Sequence, residues 1–591
     1  MSAASVECAA LRVPLDRADP GAGSVSLAVQ RVPASAPQVG TIVVLAGGPG
    51  QAVLPIFDSF FAPLARLAAL RGYQLVAFDQ RGTGQSGVLS CPGLLREGLP
   101  GLAACGESLG ANRADYTSQD SVEDLQALRE ALGGGPLSLY AVSYGAKVAG
   151  MYAREDPGGV ARMVLDSPVP VTGFDALDRQ RLRALPRVLD REICGAGVCR
   201  GFAPDPYREL VRLLARLRRR PLRARVFDAR GRRETVRIGE VGIYSAIAVA
   251  DLSSGLRALI PAAVASALRG RLAPLARLVG TPLPASQASA AKPAAQLEGA
   301  PGLSIAALAG SVKSVEEAAN SELSPALFAS TVCVENPLPW APESLPASRA
   351  QSLRSWLVRQ PPSSAAPFTA GVLASGAPIG FCKSWPATPA APPPPSGVSA
   401  TPTLILSGDD DLRTPYEQDL QVAAGYSDAQ LLRIPATGHA TVSSDTSGCA
   451  KRAMIEFLST AKAASSCPAS TAPQALPPPP TSLSQLTPAR SRSILAGRGA
   501  AAAARTIEEI LGQPRPSGGG LLGGSYHLAG TSLIFRHLSD IPGISLTGAI
   551  QLTRSTARLS VQGRVRGTLT LKDSTLTGHL DGTSVRTTMQ Q

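Results

Sequence analysis

Four short apolar runs, each followed by a turn and most by a helical pattern, constrain this chain more than any other feature. They are Thr41–Ala46, Gln74–Phe78, Leu137–Val142 and Ala161–Leu165, each five or six residues long and apolar on both faces. Runs of that kind are strands buried on both sides in a parallel sheet. Between them, Ser121–Leu132 and Tyr144–Arg154 carry apolar residues at helical spacing, the second ended by Asp156-Pro157-Gly158. The alternation predicts an α/β fold with a mostly parallel sheet.

The pattern breaks at Gly173 and resumes at Thr403–Ser407 and Gln430–Ile434, with a helix over Cys449–Leu458. The expected organisation is a first core segment over 1–172, a mainly helical lid insertion over 173–398, and a second core segment over 399–467. A Pro/Ala-rich linker and helix then occupy 468–517, and a small antiparallel β module 518–591, with strands at Ser545–Thr553, Ala557–Val561, Gly567–Leu571 and Ser574–His579. An insertion after a strand's C-terminal end covers a site there.

Composition narrows the functional classes. The chain has 591 residues, 44% of them hydrophobic, which is enough for a large core. The formal charge of +13 comes mostly from Arg, clustered densest at Arg212, Arg216, Arg218, Arg219, Arg220, Arg223 and Arg225. A solvated helix face accounts for that cluster. Aromatics are 4% and do not interleave with basic runs, so no nucleic-acid partner is expected. No apolar run reaches membrane-spanning length.

The chemistry concentrates at Ala141-Val142-Ser143-Tyr144-Gly145, where a strand runs into Ser143 and a helix leaves it. Small residues two before and two after a serine let the turn tighten and expose Oγ. Ala141 departs from the usual Gly but remains small. A serine hydroxyl needs a base within hydrogen-bond reach and a group that orients the base. His439, in a loop directly after a predicted strand, is the single histidine in the α/β segments. The acid is expected at Asp411 of Gly408-Asp409-Asp410-Asp411, with Asp409 and Asp410 left solvated, and Asp166 is the rival. The chain order Ser143, Asp411, His439 is that of α/β-hydrolases. The glycine-rich loop Gly47-Gly48-Pro49-Gly50-Gln51 lacks a P-loop ending. It is expected to donate one backbone N–H to an oxyanion, from Gly48 or its neighbours Gly50 and Gln51, and Tyr144 the second.

Taken together these segments resemble the α/β-hydrolase superfamily, and within it the secreted tripeptidyl and prolyl aminopeptidase (TAP-like) group. The resemblance rests on Val13-Pro14-Leu15-Asp16, Gly47-Gly48-Pro49-Gly50, Asp79-Gln80-Arg81-Gly82-Thr83-Gly84-Gln85-Ser86 and Val142-Ser143-Tyr144-Gly145. It also rests on Val164-Leu165-Asp166-Ser167, Gly408 to Pro415 and Gly438-His439, and covers about Ser5 to Cys467. It implies disulfides Cys91 with Cys105, Cys194 with Cys199, Cys333 with Cys382 and Cys449 with Cys467, leaving Cys8 over. It also implies that lid carboxylates hold the substrate's free amine. Glu316, Glu317, Glu322 and Glu335 are candidates, with Glu335 in Cys333-Val334-Glu335 and Glu322 the ones retained.

The expected activity is that of a serine aminopeptidase acting through an acyl-enzyme, with no metal or cofactor. An esterase or other amide hydrolase with the same triad is the alternative. A non-catalytic protein that contacts the cell envelope through the β module is the third reading. Nine cysteines with no Cys-x-x-Cys pair favour disulfides and an exported protein. The N-terminus lacks a signal pattern, so a signal segment is expected to precede Met1, with a cytoplasmic enzyme as the alternative.

Overall fold

The computed structural model describes residues 6–91, 101–251, 253–279, 324–376, 378–469, 475–511 and 516–589. Six strands come first: β1 (Glu7–Pro14), β2 (Ser24–Val32), β3 (Gly40–Leu45), β4 (Tyr73–Phe78), β5 (Leu137–Val142) and β6 (Val160–Asp166). The insertion contributes a hairpin, β7 (Leu222–Phe227) and β8 (Arg233–Ile238), before β9 (Thr403–Gly408) and β10 (Ala429–Ile434) return to the first sheet. That sheet has eight strands in the order β1-β2-β4-β3-β5-β6-β9-β10. β2 runs antiparallel to β1 and β4, and the other pairs are parallel.

The apolar runs make this sheet because each has two faces to bury. Val43, Val76, Leu139, Leu165 and Ile405 pack on one side, and Ile42, Val44, Ala77, Tyr140, Val164, Leu404 and Leu406 on the other. Helix α1 (Ser118–Ala131) starts at a capping box in which Thr117 and Asp120 satisfy each other's backbone amides. Helix α2 (Tyr144–Glu155) follows β5, and α3 (Cys449–Thr460) lies in the second face cluster. From β3 the chain crosses first to β4 on one side and then to β5 on the other. Such a reversal opens a crevice at the strands' C-terminal ends, where Gly47 and Ser143 lie.

The described residues fall into two compact units, one built from Met1–Val188 and Ala318–Ser470, the other from Leu189–Pro282 and Thr471–Gln591. The insertion expected as one mainly helical lid is therefore divided between them, and it contains the β7–β8 hairpin.

The second unit holds a nine-stranded antiparallel sheet. Its strands are β11 (Arg490–Ser491), β12 (Ser517–Gly519), β13 (Gly523–Ala529), β14 (Ser532–Ser539), β15 (Ile544–Gln551), β16 (Thr556–Gly563), β17 (Gly567–Lys572), β18 (Thr575–Leu580) and β19 (Thr583–Thr588). Helix α4 (Ile494–Leu511), expected as part of a linker, shares the core of this sheet: Ala496, Ala500, Ala503, Ile507 and Ile510 pack with Leu559, Leu569, Leu576 and Val585. Its small residues let the backbone approach closely, since a Cβ on Gly499 would lie 2.4 Å from the Val565 side chain. The hairpin belongs here too, because a Cβ on Gly519 of β12 would lie 2.1 Å from the Phe227 carbonyl. A buried ion network seals the unit, with Arg277 donating to Glu509 at 2.9 Å and to Asp540 at 2.7 Å. No helix among the described residues is long and apolar enough to cross a membrane.

Candidate active site

Ser143 sits between β5 and α2 with φ 53° and ψ −114°, a conformation sparsely populated for any residue with a side chain. Three backbone bonds hold it there. Its amide donates to the Asp166 carbonyl at 2.9 Å, and its carbonyl accepts from Ala146 at 3.0 Å and Val169 at 3.1 Å. Gly145 is required by contact, because a Cβ would lie 2.7 Å from the Ala46 carbonyl oxygen and 2.8 Å from that of Leu45. Gly47 faces the serine itself, its hypothetical Cβ 3.1 Å from the Ser143 Cβ. Ala141, the departure from the usual glycine, is fully buried in the sheet core, where its methyl is accommodated.

His439 and Asp411 meet at the C-terminal ends of β10 and β9, with Nδ1 and Oδ2 3.0 Å apart. The Asp411 carboxylate is fully buried and also accepts from the Arg413 amide at 2.7 Å and the Thr414 amide at 3.0 Å. Burial pushes its carboxyl up, but the His439 charge and these hydrogen bonds outweigh it and hold it below the ordinary carboxylate value. Thr414 Oγ1 lies 2.9 Å from Asp411 Oδ2, 3.1 Å from His439 Nδ1 and 3.0 Å from the Ser167 carbonyl. It ties the acid loop to the turn after β6.

The other two aspartates of the run, expected to stay solvated, are instead buried, each 8% exposed. Asp409 accepts from Arg433 at 2.6 Å, and that cation offsets the neighbouring like charge. Asp166 is fully buried and accepts from the Thr441 amide and hydroxyl, both at 2.7 Å, the Val442 amide at 2.9 Å and the Tyr140 hydroxyl at 2.9 Å. Its partners are turn amides and hydroxyls, and no bond to His439 is among them.

The Asp79–Ser86 segment supports the glycine-rich loop. Asp79 accepts from the Val53 amide at 2.8 Å and the Gln85 amide at 2.9 Å. Buried Arg81 donates to Asp124 and to the carbonyls of Leu15 and Asp115. Gln80 donates to the Ala46 carbonyl at 3.1 Å. Gly48 and Gly50 adopt φ 110° and 101°, which glycine alone reaches without strain. The Gln51 amide is turned toward the Gly47 carbonyl at 3.4 Å. Tyr144 is the first residue of α2, where backbone N–H groups have no partner within the helix.

Glu335, expected to bind the substrate amine, lies in a buried ion pair. Its carboxylate is 6% exposed and paired with Lys147, 5% exposed, at 2.5 Å. It also accepts from the amide of Ser118 and, at 2.6 Å, from the Ser118 hydroxyl. Glu316, Glu317 and Glu322 lie outside the described residues. The sequence reading passed over Lys147 and Ser118; a lysine among the buried residues of α2 was the available signal.

Cys91 is joined to Cys105, Cys194 to Cys199, Cys333 to Cys382 and Cys449 to Cys467, while Cys8 is free and exposed. Among the described residues no cluster of His, Cys, Asp and Glu has the arrangement of a metal site.

The sequence profile of the α/β-hydrolase fold matches residues 40–236, and that of the TAP-like proteins matches residues 366–467. Serine protease Hip1 of Mycobacterium tuberculosis is 30% identical over 186 residues, 27% of this chain and 36% of its own length. Tripeptidyl aminopeptidase of Streptomyces lividans is 30% identical over 197 residues, 28% of this chain and 35% of its own. Carboxylesterase B of M. tuberculosis is 38% identical over 82 residues, 14% of this chain and 16% of its own. The chain therefore matches about a third of the length of the first two relatives.

Proposed function

Since this chain belongs to the α/β-hydrolase superfamily, with a TAP-like segment closing its core, we propose that it is a serine hydrolase cleaving peptide bonds near a free N-terminus. The observation that carries this is the buried Asp411–His439 pair at 3.0 Å at the ends of β9 and β10, in the same sheet whose strand β5 ends at the Ser143 turn. In this reading His439 takes the Ser143 proton as Oγ attacks the carbonyl, then passes it to the leaving amine. Asp411 holds the imidazole in the tautomer that leaves Nε2 basic and offsets the imidazolium charge. The Gly48 and Tyr144 amides stabilise the oxyanion, and water releases the acyl group. Four disulfides support action in an oxidising compartment outside the cytoplasm.

One observation favours a second reading, an esterase or other amide hydrolase with the same triad. Glu335, the lid carboxylate that an aminopeptidase would turn to the substrate amine, is neutralised by Lys147. A panel of free-amine and N-acetylated peptide and ester chromogenic substrates separates the two. Aminopeptidase action predicts cleavage of the free-amine peptides alone; equal turnover of blocked and free substrates establishes the second reading. Fluorophosphonate labelling of the wild type, lost in Ser143→Ala, is expected under both. A non-catalytic envelope-binding role is the outcome if the wild type takes up no label.

A further inference from the structure

The lid helix Pro325–Glu335 is bonded at its start to the glycine-rich loop and at its end to side chains around the first turn of α2, the two segments proposed above as oxyanion donors. At its start, the Ser324 amide donates to the Gly50 carbonyl at 2.8 Å, and the Ser324 hydroxyl donates to the Leu89 carbonyl at 2.8 Å. The approach is close enough that a Cβ on Gly50 would lie 2.5 Å from the Ser324 carbonyl oxygen. At its end, Glu335 receives Lys147, one turn into α2, and Ser118, the first residue of α1. Ser118 Oγ is in turn 3.0 Å from the hydroxyl of Tyr144.

Burial first, and the Glu335 charge second, push the Tyr144 phenol above its ordinary value, so it keeps its proton. Ser118 Oγ, 3.0 Å from the Tyr144 hydroxyl, is also 2.6 Å from Glu335, which accepts from Lys147 as well. One carboxylate thus holds the first turn of α2 at both Tyr144 and Lys147.

We propose that Glu335, with Lys147 and Ser118, is a positioning residue that fixes the Tyr144 amide against the glycine-rich loop, making the lid helix a brace across the oxyanion site. This rests on the serine-hydrolase reading, and it assigns Glu335 to the protein's own geometry, not to the substrate. Removing an oxyanion donor outright costs about 10²- to 10³-fold in kcat. Loosening its support should cost less, roughly tenfold or more.

The test compares wild type, Glu335→Gln and Ser118→Ala on a free-amine peptide and on a fluorophosphonate, which reacts with the serine and carries no amine, with thermal transitions recorded alongside. Ser118→Ala leaves the Lys147–Glu335 pair in place and so keeps the fold if the first variant does not. The expected result is a loss of about tenfold or more in each variant, in kcat on the peptide and equally in the inactivation rate, with KM within about twofold. Glu335→Asp, which keeps the charge at shorter reach, should recover part of the rate, which a loss of packing alone would not allow. A KM increase on the peptide with an unchanged inactivation rate overturns the proposal in favour of direct amine binding. Unchanged kcat in Ser118→Ala overturns it as well, with the serine-hydrolase reading intact. A wild type that neither labels nor turns over any substrate overturns both.

Discussion

Asp166 grips Thr441 twice, accepting its amide and its hydroxyl, both at 2.7 Å, two residues beyond His439. The carboxylate at the end of β6 therefore anchors the loop that carries the imidazole, while Asp411 at the end of β9 contacts the imidazole itself. Two buried aspartates at neighbouring strand ends are given different work by their partners: one has backbone amides and hydroxyls, the other a titratable ring.

That division predicts distinct mutational signatures. Asp411→Asn should lower kcat by about 10⁴-fold, the effect of losing the tautomer-fixing acid, with little change in substrate KM. Asp166→Asn places an NH₂ against amide and hydroxyl donors and should cost about 1–3 kcal/mol of stability, with a smaller loss of rate per folded molecule. Steady-state kinetics and denaturant titration of both variants provide the check. A larger rate loss in Asp166→Asn would reverse the assignment.

Asp115 offers a pH test. Burial, followed by the charges of Asp120 and Asp16, pushes its carboxyl up to about 6. In the pH interval between the ordinary carboxylate value, about 4, and 6, the folded chain holds a proton that the unfolded chain has released. This group's contribution to stability therefore falls as pH rises through that interval and stays low above it. Asp115→Asn should raise the melting temperature at pH 7, and the difference from wild type should vanish below about pH 4.

Arg277 is the cation between Glu509 and Asp540, whose side chains are 4% and 0% exposed. Removing it leaves two buried carboxylates facing each other. Arg277→Met should destabilise the second unit by about 3–5 kcal/mol, the usual cost of breaking a buried ion pair from one side. Hydrogen exchange over β12–β19 measures this directly, and protection equal to wild type would contradict it.

The Cys333–Cys382 bridge closes a loop with a sequence separation of 49. Chain-entropy arguments give such a loop about 4 kcal/mol. Replacing both cysteines by serine should lower unfolding free energy by up to that amount. Because Cys333 lies two residues before Glu335, kcat should fall as well, while KM holds.

How much of this was legible in the sequence follows from the range over which each signal acts. Local periodicity revealed the core strands because apolar runs buried on both faces need no partner to be recognised. It missed β1, β2, β13, β14 and β19, whose alternating or glycine-broken patterns acquire meaning only when paired. Ser143, His439 and the aspartate run were visible because reactive residue types stand at strand ends, where the fold exposes side chains.

The chain's own residues determined an α/β sheet, a serine at a strand–helix turn and, within the α/β segments, a single histidine and a cluster of acids that follow other strands. Tertiary structure brought the expected Asp411 against the histidine and buried Asp409 on Arg433, since packing gives three adjacent aspartates different partners. It turned Glu335 inward onto Lys147, a pairing 188 positions apart along the chain. It also joined the β7–β8 hairpin and helix α4 to the C-terminal sheet. Burial and charge pairing act through space, and a one-dimensional pattern carries no record of which distant groups will share a low-dielectric interior.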